Sequence, residues 1–196
     1  MQPNTSSLPV VGMGKFSVLY FATAGFYSLY WFYRCWAGAE AITGRRYLKA
    51  GRAAFAVLFV YELLQLLSRE EKRREIEYAW QPARLAWIFI GAAVAQVFLT
   101  YGVEQLELGC WGRLLVFVVV LVAQFYSLYQ AQLAVNRIGG DPFGKANQKL
   151  TAYNHAWIVV GFYLWFKLIS NCVYPPPPPT ASSGPPGMSA VPGAVR

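Results

Sequence analysis

Phe26-Tyr27-Ser28-Leu29-Tyr30 returns as Phe125-Tyr126-Ser127-Leu128-Tyr129, and the reading of this repeated pentapeptide decides the expected fold. Each copy closes a long apolar run and opens a basic stretch. A further apolar run begins near Ala53 after the first copy and near Ala152 after the second, at the same offset. Identical blocks at equal spacing inside hydrophobic segments point to a duplicated two-element unit. The expected fold is all-α: a polytopic membrane helix bundle with an internal two-element repeat, units at about 15–68 and 114–174. It holds four to five hydrophobic helices, one of them short or re-entrant.

Composition sets the solvent. With 56% hydrophobic and 13% charged residues and a mean hydropathy of +0.34, the chain cannot build a mostly polar surface, so much of it must face lipid. A helix that crosses about 30 Å of hydrocarbon needs roughly 20 mainly apolar residues. The runs at 16–36, 85–103 and 114–135 meet that length, and 156–174 meets it while carrying Lys167. The run at 53–67 is shorter, roughly 22 Å as a helix, and holds Glu62 and Gln65. Crossing fully, it would force the basic stretch 69–84 outside. Dipping in and returning, or lying in the interface as an amphipathic helix, it keeps 34–52 and 69–84 on one side, which suits its length and charge.

Net charge is +8, and its location is informative. Residues 34–52 hold five Lys or Arg against Glu40, 69–84 five against four Glu, and 137–149 three against Asp141. The 104–113 stretch has two Glu and one Arg, and nothing before Lys15 carries side-chain charge. Basic residues flanking spans stay cytoplasmic, so the N-terminus and the 104–113 loop are expected outside. Arg34, Arg45, Arg46, Lys49, Arg52 and Arg137 are then lipid-headgroup contacts, with the bilayer as first partner. Charge placed beside apolar spans argues against nucleic acid. A membrane-protein partner or a second copy of the chain fits better, in the cell inner (plasma) membrane with several passes.

Glu62, Gln124, Asn154, His155 and Lys167 are the candidate intramembrane polar residues, because such groups face protein or a cavity rather than hydrocarbon. Gln124, Ser127, Gln130 and Gln132 form a stripe that either bonds helices together or lines a path. Lys167 either snorkels to the interface or pairs with Glu62. Small residues at 91–95, with Gln96 and Thr100, offer a close-packing face. The run 68–75 reads as a solvated helix with a polar face. Gly139 and Gly144 followed by Lys145 have phosphate-loop spacing, but Ala146 stands where Ser or Thr would hold magnesium, so the segment reads as a Gly-Gly-Asp-Pro turn. No Ser–His, His–Glu or paired Asp set and no metal-ligand spacing occurs, so no enzyme activity and no cofactor or metal is expected. If the last segment crosses outward, Cys172 approaches Cys110 outside, where the two either pair or remain thiols. Residues 1–14 read as a short disordered lead without signal-peptide character. Residues 175–196 begin with five prolines and read as an extended, disordered tail, either a flexible end or a PxxP-type ligand.

The aromatic helix end Tyr30-Trp31-Phe32-Tyr33, with Trp36 following, resembles the start of a group of uncharacterised bacterial inner-membrane proteins. Asn136-Arg137 after Gln130 and Gln132, and Asn154-x-x-Trp157-Ile158-Val159-x-Gly161, are similar to its later part, so the likeness covers most of residues 15–170. It implies a multi-pass membrane protein without an established activity and carries over no catalytic residue. Two function classes follow: a scaffold or accessory subunit of a membrane assembly, and a small transporter or channel built from a duplicated helix pair.

Overall fold

A computed structural model describes residues 8–102 and 109–174, the side chains of 100–102 excepted. The described chain is helical: α1 (Met13–Ala22), α2 (Tyr27–Thr43), α3 (Lys49–Ala54), α4 (Ala56–Arg73), α5 (Pro82–Gly102), α6 (Cys110–Ile138) and α7 (Ala152–Val173), with one 3-10 turn at Lys145–Asn147. Three of these, α5, α6 and α7, are long and apolar enough to cross a membrane.

The run at 16–36, expected as a single crossing helix, is instead a hairpin. The chain reverses at 23–26, where Ala24 and Gly25 adopt φ of 51° and 87°. Glycine takes that left-handed conformation freely, while Ala24 pays about 1 kcal/mol for it. Thr23 bridges the break: its hydroxyl donates to the Leu19 carbonyl (2.7 Å) and accepts from the Tyr27 amide (3.0 Å), so one side chain ends α1 and starts α2. The two arms run antiparallel, with the Phe16 ring against Tyr27 and Trp31 at 5.8 and 6.4 Å. Depth is read from α6. Tyr20 Oη donates to the Leu121 carbonyl, whereas Trp31 Nε1 donates to Gln132 Oε1 (2.5 Å). Eleven residues of α6 separate those contacts, roughly 16 Å. The hairpin therefore reaches about the middle of α6 and returns to its C-terminal end.

Four expectations change with it. Residues 8–14, read as part of a disordered lead, are ordered: Leu8 and Val11 are buried against the C-terminal end of α6, while residues 1–7 lie outside the described residues. That N-terminal segment sits at the same end as the basic 139–149 connection, not opposite it, because Gly12 N donates to Asn147 O and Lys15 Nζ to Asn147 Oδ1. The chain reversal lies in α1–α2 and not in 53–67, which enters α4 as an amphipathic helix burying Val60, Leu63, Leu64 and Leu67. The two pentapeptides do not share a local structure. The first straddles the end of a chain reversal, and the second lies within an unbroken helix where Phe125 packs on Phe16, Tyr20 and Phe21. Thr23-Ala24-Gly25 precedes the first copy and Val122-Ala123-Gln124 the second, and only the former allows a left-handed break.

The dense core sits at one end. Trp31, Phe32, Trp36, Leu63, Leu64, Leu67, Leu128 and Ile138 are buried where α2, α4 and α6 meet. Toward the other end apolar side chains point outward, among them Phe98, Leu115 and Phe166. Gly161 is the one buried residue of α7. An apolar surface on this scale suits hydrocarbon and not water.

The amide side chains of Gln132 and Asn136 hold the N-terminal segment down. Asn136 accepts from Val11 N (3.0 Å) and donates to Val11 O (2.8 Å), a reciprocal pair of the kind one β-strand makes with another. Gln132 Nε2 donates to Pro9 O (2.9 Å) and to Asn136 Oδ1 (2.6 Å). Gly144, at φ 64°, allows the close approach, since a Cβ there would overlap the Val11 carbonyl. Asn136→Leu should strand both Val11 groups and lower stability by about 2 kcal/mol. Thermal unfolding in mild detergent measures it, and an unchanged midpoint would contradict the role.

Cys110 and Cys172 form a disulfide joining the start of α6 to the end of α7, Cα atoms 5.2 Å apart; Cys35 is free and buried. For a soluble chain a bridge across 62 residues would contribute about 4 kcal/mol through loop entropy. Helices long and apolar enough to cross a membrane would stay inserted when packing is lost, so the constraint would then remove less freedom. Cys172→Ser is expected to cost only about 2 kcal/mol and to leave Cys110 open to maleimide, readable by mass shift without reductant.

Candidate functional site

Past the apolar core, the last turns of α4 carry charge under cover. Val60, Leu63, Leu64 and Leu67 set the inward face, and the same helical spacing continues to positions 70 and 71. Glu70 and Glu71 are accordingly 4% and 3% exposed. The expectation of a solvated polar face at 68–75 is corrected on this point, and continuation of the apolar spacing was the signal that could have found it.

Glu70 accepts from Arg73 Nε (2.7 Å) and Nη2 (2.6 Å) and from Arg74 Nε (2.6 Å). Arg74 Nη1 also donates to Ile138 O (2.8 Å), the last carbonyl of α6, where a cation meets the negative helix end. Burial alone would raise the Glu70 pKa, but the two guanidinium groups outweigh it and hold the carboxyl below its usual range. Glu71 is the opposite case. Burial raises its pKa, and neither the Trp80 indole N–H (2.6 Å) nor the charge of Arg137 brings it back. Arg137 stacks on the Tyr78 ring at 3.6 Å, and Tyr78 Oη donates to Gln130 (2.8 Å). Among the described residues Glu71 Oε1 and Arg137 Nη1 have no hydrogen-bond partner.

Arg52 occupies a second enclosure. Its guanidinium lies over Trp36, Phe59 and Tyr47 at 4.3, 4.7 and 4.8 Å and donates to Glu62 (2.6 Å). Arg52 and Arg137, expected at headgroups, are thus engaged within the protein. Arg34 is exposed and donates to Tyr30 Oη (3.2 Å), Arg45 and Arg46 are exposed, and Lys49 pairs with Glu40 at 2.9 Å. That bond holds the Glu40 carboxyl below, and the Lys49 ammonium above, its usual range.

The candidate intramembrane residues are not brought together. Glu62 is taken by Arg52 and half exposed, while Lys167 is exposed on α7, so the two do not pair. Gln124 is half-buried on α6. Asn154 closes a capping box with Thr151 at the start of α7, and the exposed His155 lies with Nδ1 3.0 Å from Thr151 O. Of the amide and hydroxyl stripe on α6, Ser127 donates to Leu85 O (2.7 Å), joining α6 to α5, and Gln132 is committed to Pro9, Trp31 and Asn136. No family model, curated protein or solved structure matches this chain. The buried carboxylates are bonded to guanidinium and indole, and Arg74 carries the Glu70 pair across to the end of α6.

Proposed function

We propose that the chain is a non-enzymatic subunit or scaffold of a membrane assembly, seated in the cytoplasmic membrane with α5, α6 and α7 crossing and α1–α2 re-entering from the cytoplasmic side. The observation that carries this reading is the commitment of Ser127, Gln132 and Asn136 on α6 to helix–helix and helix–segment bonds, which leaves the outward apolar faces of α5 and α7 as the surface available to others. The orientation follows from charge. The basic segments and residues 8–15 share one end, which faces the cytoplasm. The Cys110–Cys172 bridge sits at the other, where an oxidising compartment maintains it. The likeness to bacterial inner-membrane proteins noted above fits this placement.

The transporter reading is weaker, because Glu62, Gln124, Asn154, His155 and Lys167 lie apart instead of along one route. Photo-crosslinking from Phe98 and Phe162, both outward-facing, is expected to give one discrete adduct in native membranes. Purified protein in vesicles should pass no more solute than empty vesicles. Solute flux that Glu62→Gln abolishes would overturn the subunit reading. Topology has its own check in a cysteine-free background carrying Asn4→Cys, Leu106→Cys or Lys145→Cys. An impermeant maleimide should reach position 106 from outside and positions 4 and 145 only after permeabilisation. Positions 4 and 145 on opposite sides would sink the hairpin.

A further inference from the structure

α7 meets the hairpin closely at one depth only. A Cβ on Gly161 would overlap the Ala22 carbonyl, and Trp165 Nε1 donates to Phe21 O (2.8 Å) just beyond. From there toward Thr151, roughly 15 Å of helix, α7 and α2 part and leave a cleft of about 720 Å3 walled by Phe26, Leu29, Tyr33 and Trp157. At its cytoplasmic end the cleft shares Lys15, Tyr27, Tyr30, Asn147 and Asn154 with a smaller hollow of about 390 Å3 that adds Arg34. Among the described residues, none of those lining either space is acidic. Lys15 Nζ bonds two neutral oxygens, Asn147 Oδ1 (2.7 Å) and Lys149 O (2.9 Å), and Arg34 bonds the neutral Tyr30 hydroxyl. Two cations without a carboxylate stand at the mouth of an apolar wedge.

We infer that this wedge is a site for one anionic phospholipid of the cytoplasmic leaflet, its phosphate at Lys15 and Arg34 and one acyl chain lying between α2 and α7. Charge complementarity selects the headgroup, since uncompensated cations at the membrane surface favour anionic over zwitterionic lipid. The aromatic walls and the cleft's length select a chain. The inference rests on the bilayer placement of α5, α6 and α7 and is independent of the subunit role.

The test is native mass spectrometry of the full chain, released from detergent micelles holding equal dioleoyl phosphatidylglycerol and dioleoyl phosphatidylcholine, with oleate in a third arm. One phosphatidylglycerol should be retained over phosphatidylcholine by at least about fivefold, the discrimination one surface cation provides. Lys15 also holds the 147–149 chain, so Arg34→Gln, whose hydrogen bond is to exposed Tyr30, is the decisive variant. It should lower the preference by about fivefold, with Lys15→Gln acting in the same direction. Arg45→Gln, exposed and outside the cleft, should leave the preference intact. Equal retention of the two phospholipids, equal competition by oleate, or an equal drop in Arg45→Gln would overturn the site while leaving the membrane placement standing. A chain recovered in the aqueous phase without detergent would overturn both.

Discussion

Gly161→Leu is expected to detach α7 from the α1–α2 hairpin, lowering stability in detergent by at least about 3 kcal/mol. The reason is geometric. The atoms a side chain would meet at Gly161 are the Ala22 carbonyl and the Thr23 Cα, backbone that cannot swing aside. Gly161→Ala should show most of the effect, because the first carbon already makes the overlap. The Trp165–Phe21 hydrogen bond and the edge-on contact of Phe117 with Trp165 would go with it. The Cys110–Cys172 bridge should survive, so α7 would swing about its outer end. Faster amide exchange over 152–165, with the disulfide still intact by mass, is the expected record. Protection and melting unchanged in both variants would refute the docking.

The second large effect is a contrast between neighbours. Glu70→Gln leaves Arg74 half-buried beside the end of α6 without its carboxylate and is expected to cost about 3 kcal/mol. Because the folded-state pKa of Glu70 lies below the unfolded value, its contribution is fully present above the ordinary glutamate pKa of about 4.3. It fades as pH falls through the folded value. Glu71 carries the reverse sign. Its folded pKa is raised, so its contribution is full below about 4.3 and is lost as pH rises through the folded value. Glu71→Gln can still accept from Trp80 and should be neutral or mildly stabilising at neutral pH, removing that decline. Melting curves from about pH 2 to 8 should therefore depart from the wild type below about pH 4.3 for the first variant and above it for the second, and parallel behaviour would show the carboxylates to be equivalent.

The three long helices were legible because hydropathy needs only an unbroken apolar run, which 85–103, 114–135 and 156–174 provide. The hairpin was not, because hydropathy measures how apolar a segment is and says nothing of its direction. Thr23-Ala24-Gly25 does not interrupt the apolar character of such a run, and only Gly25 hints at a reversal. Proximity of Cys110 and Cys172 followed from helix direction alone. The buried charges were hidden for a different reason. Position 70 is fixed by helical spacing, but its environment depends on the Ile138 carbonyl, to which Arg74 reaches across 64 residues. Residue type singled out Glu62 and Lys167, yet which partner each finds depends on the fold. Arg52, filed with the surface cations, sits among three rings and claims Glu62 for itself.

The hairpin also constrains how the protein is made. Two of its anchors on α6, the Leu121 carbonyl and Gln132, lie 101 residues downstream of the side chains that use them. A ribosome delivers the hairpin long before it delivers either anchor, and before any of the three long apolar helices has left the exit tunnel. Under the proposed bilayer placement, the N-terminal arms would wait at the translocon or on the bilayer surface until α6 is threaded. Assembly thus runs backward relative to synthesis, and a nascent chain truncated before residue 121 would lack both acceptors that hold its first two helices.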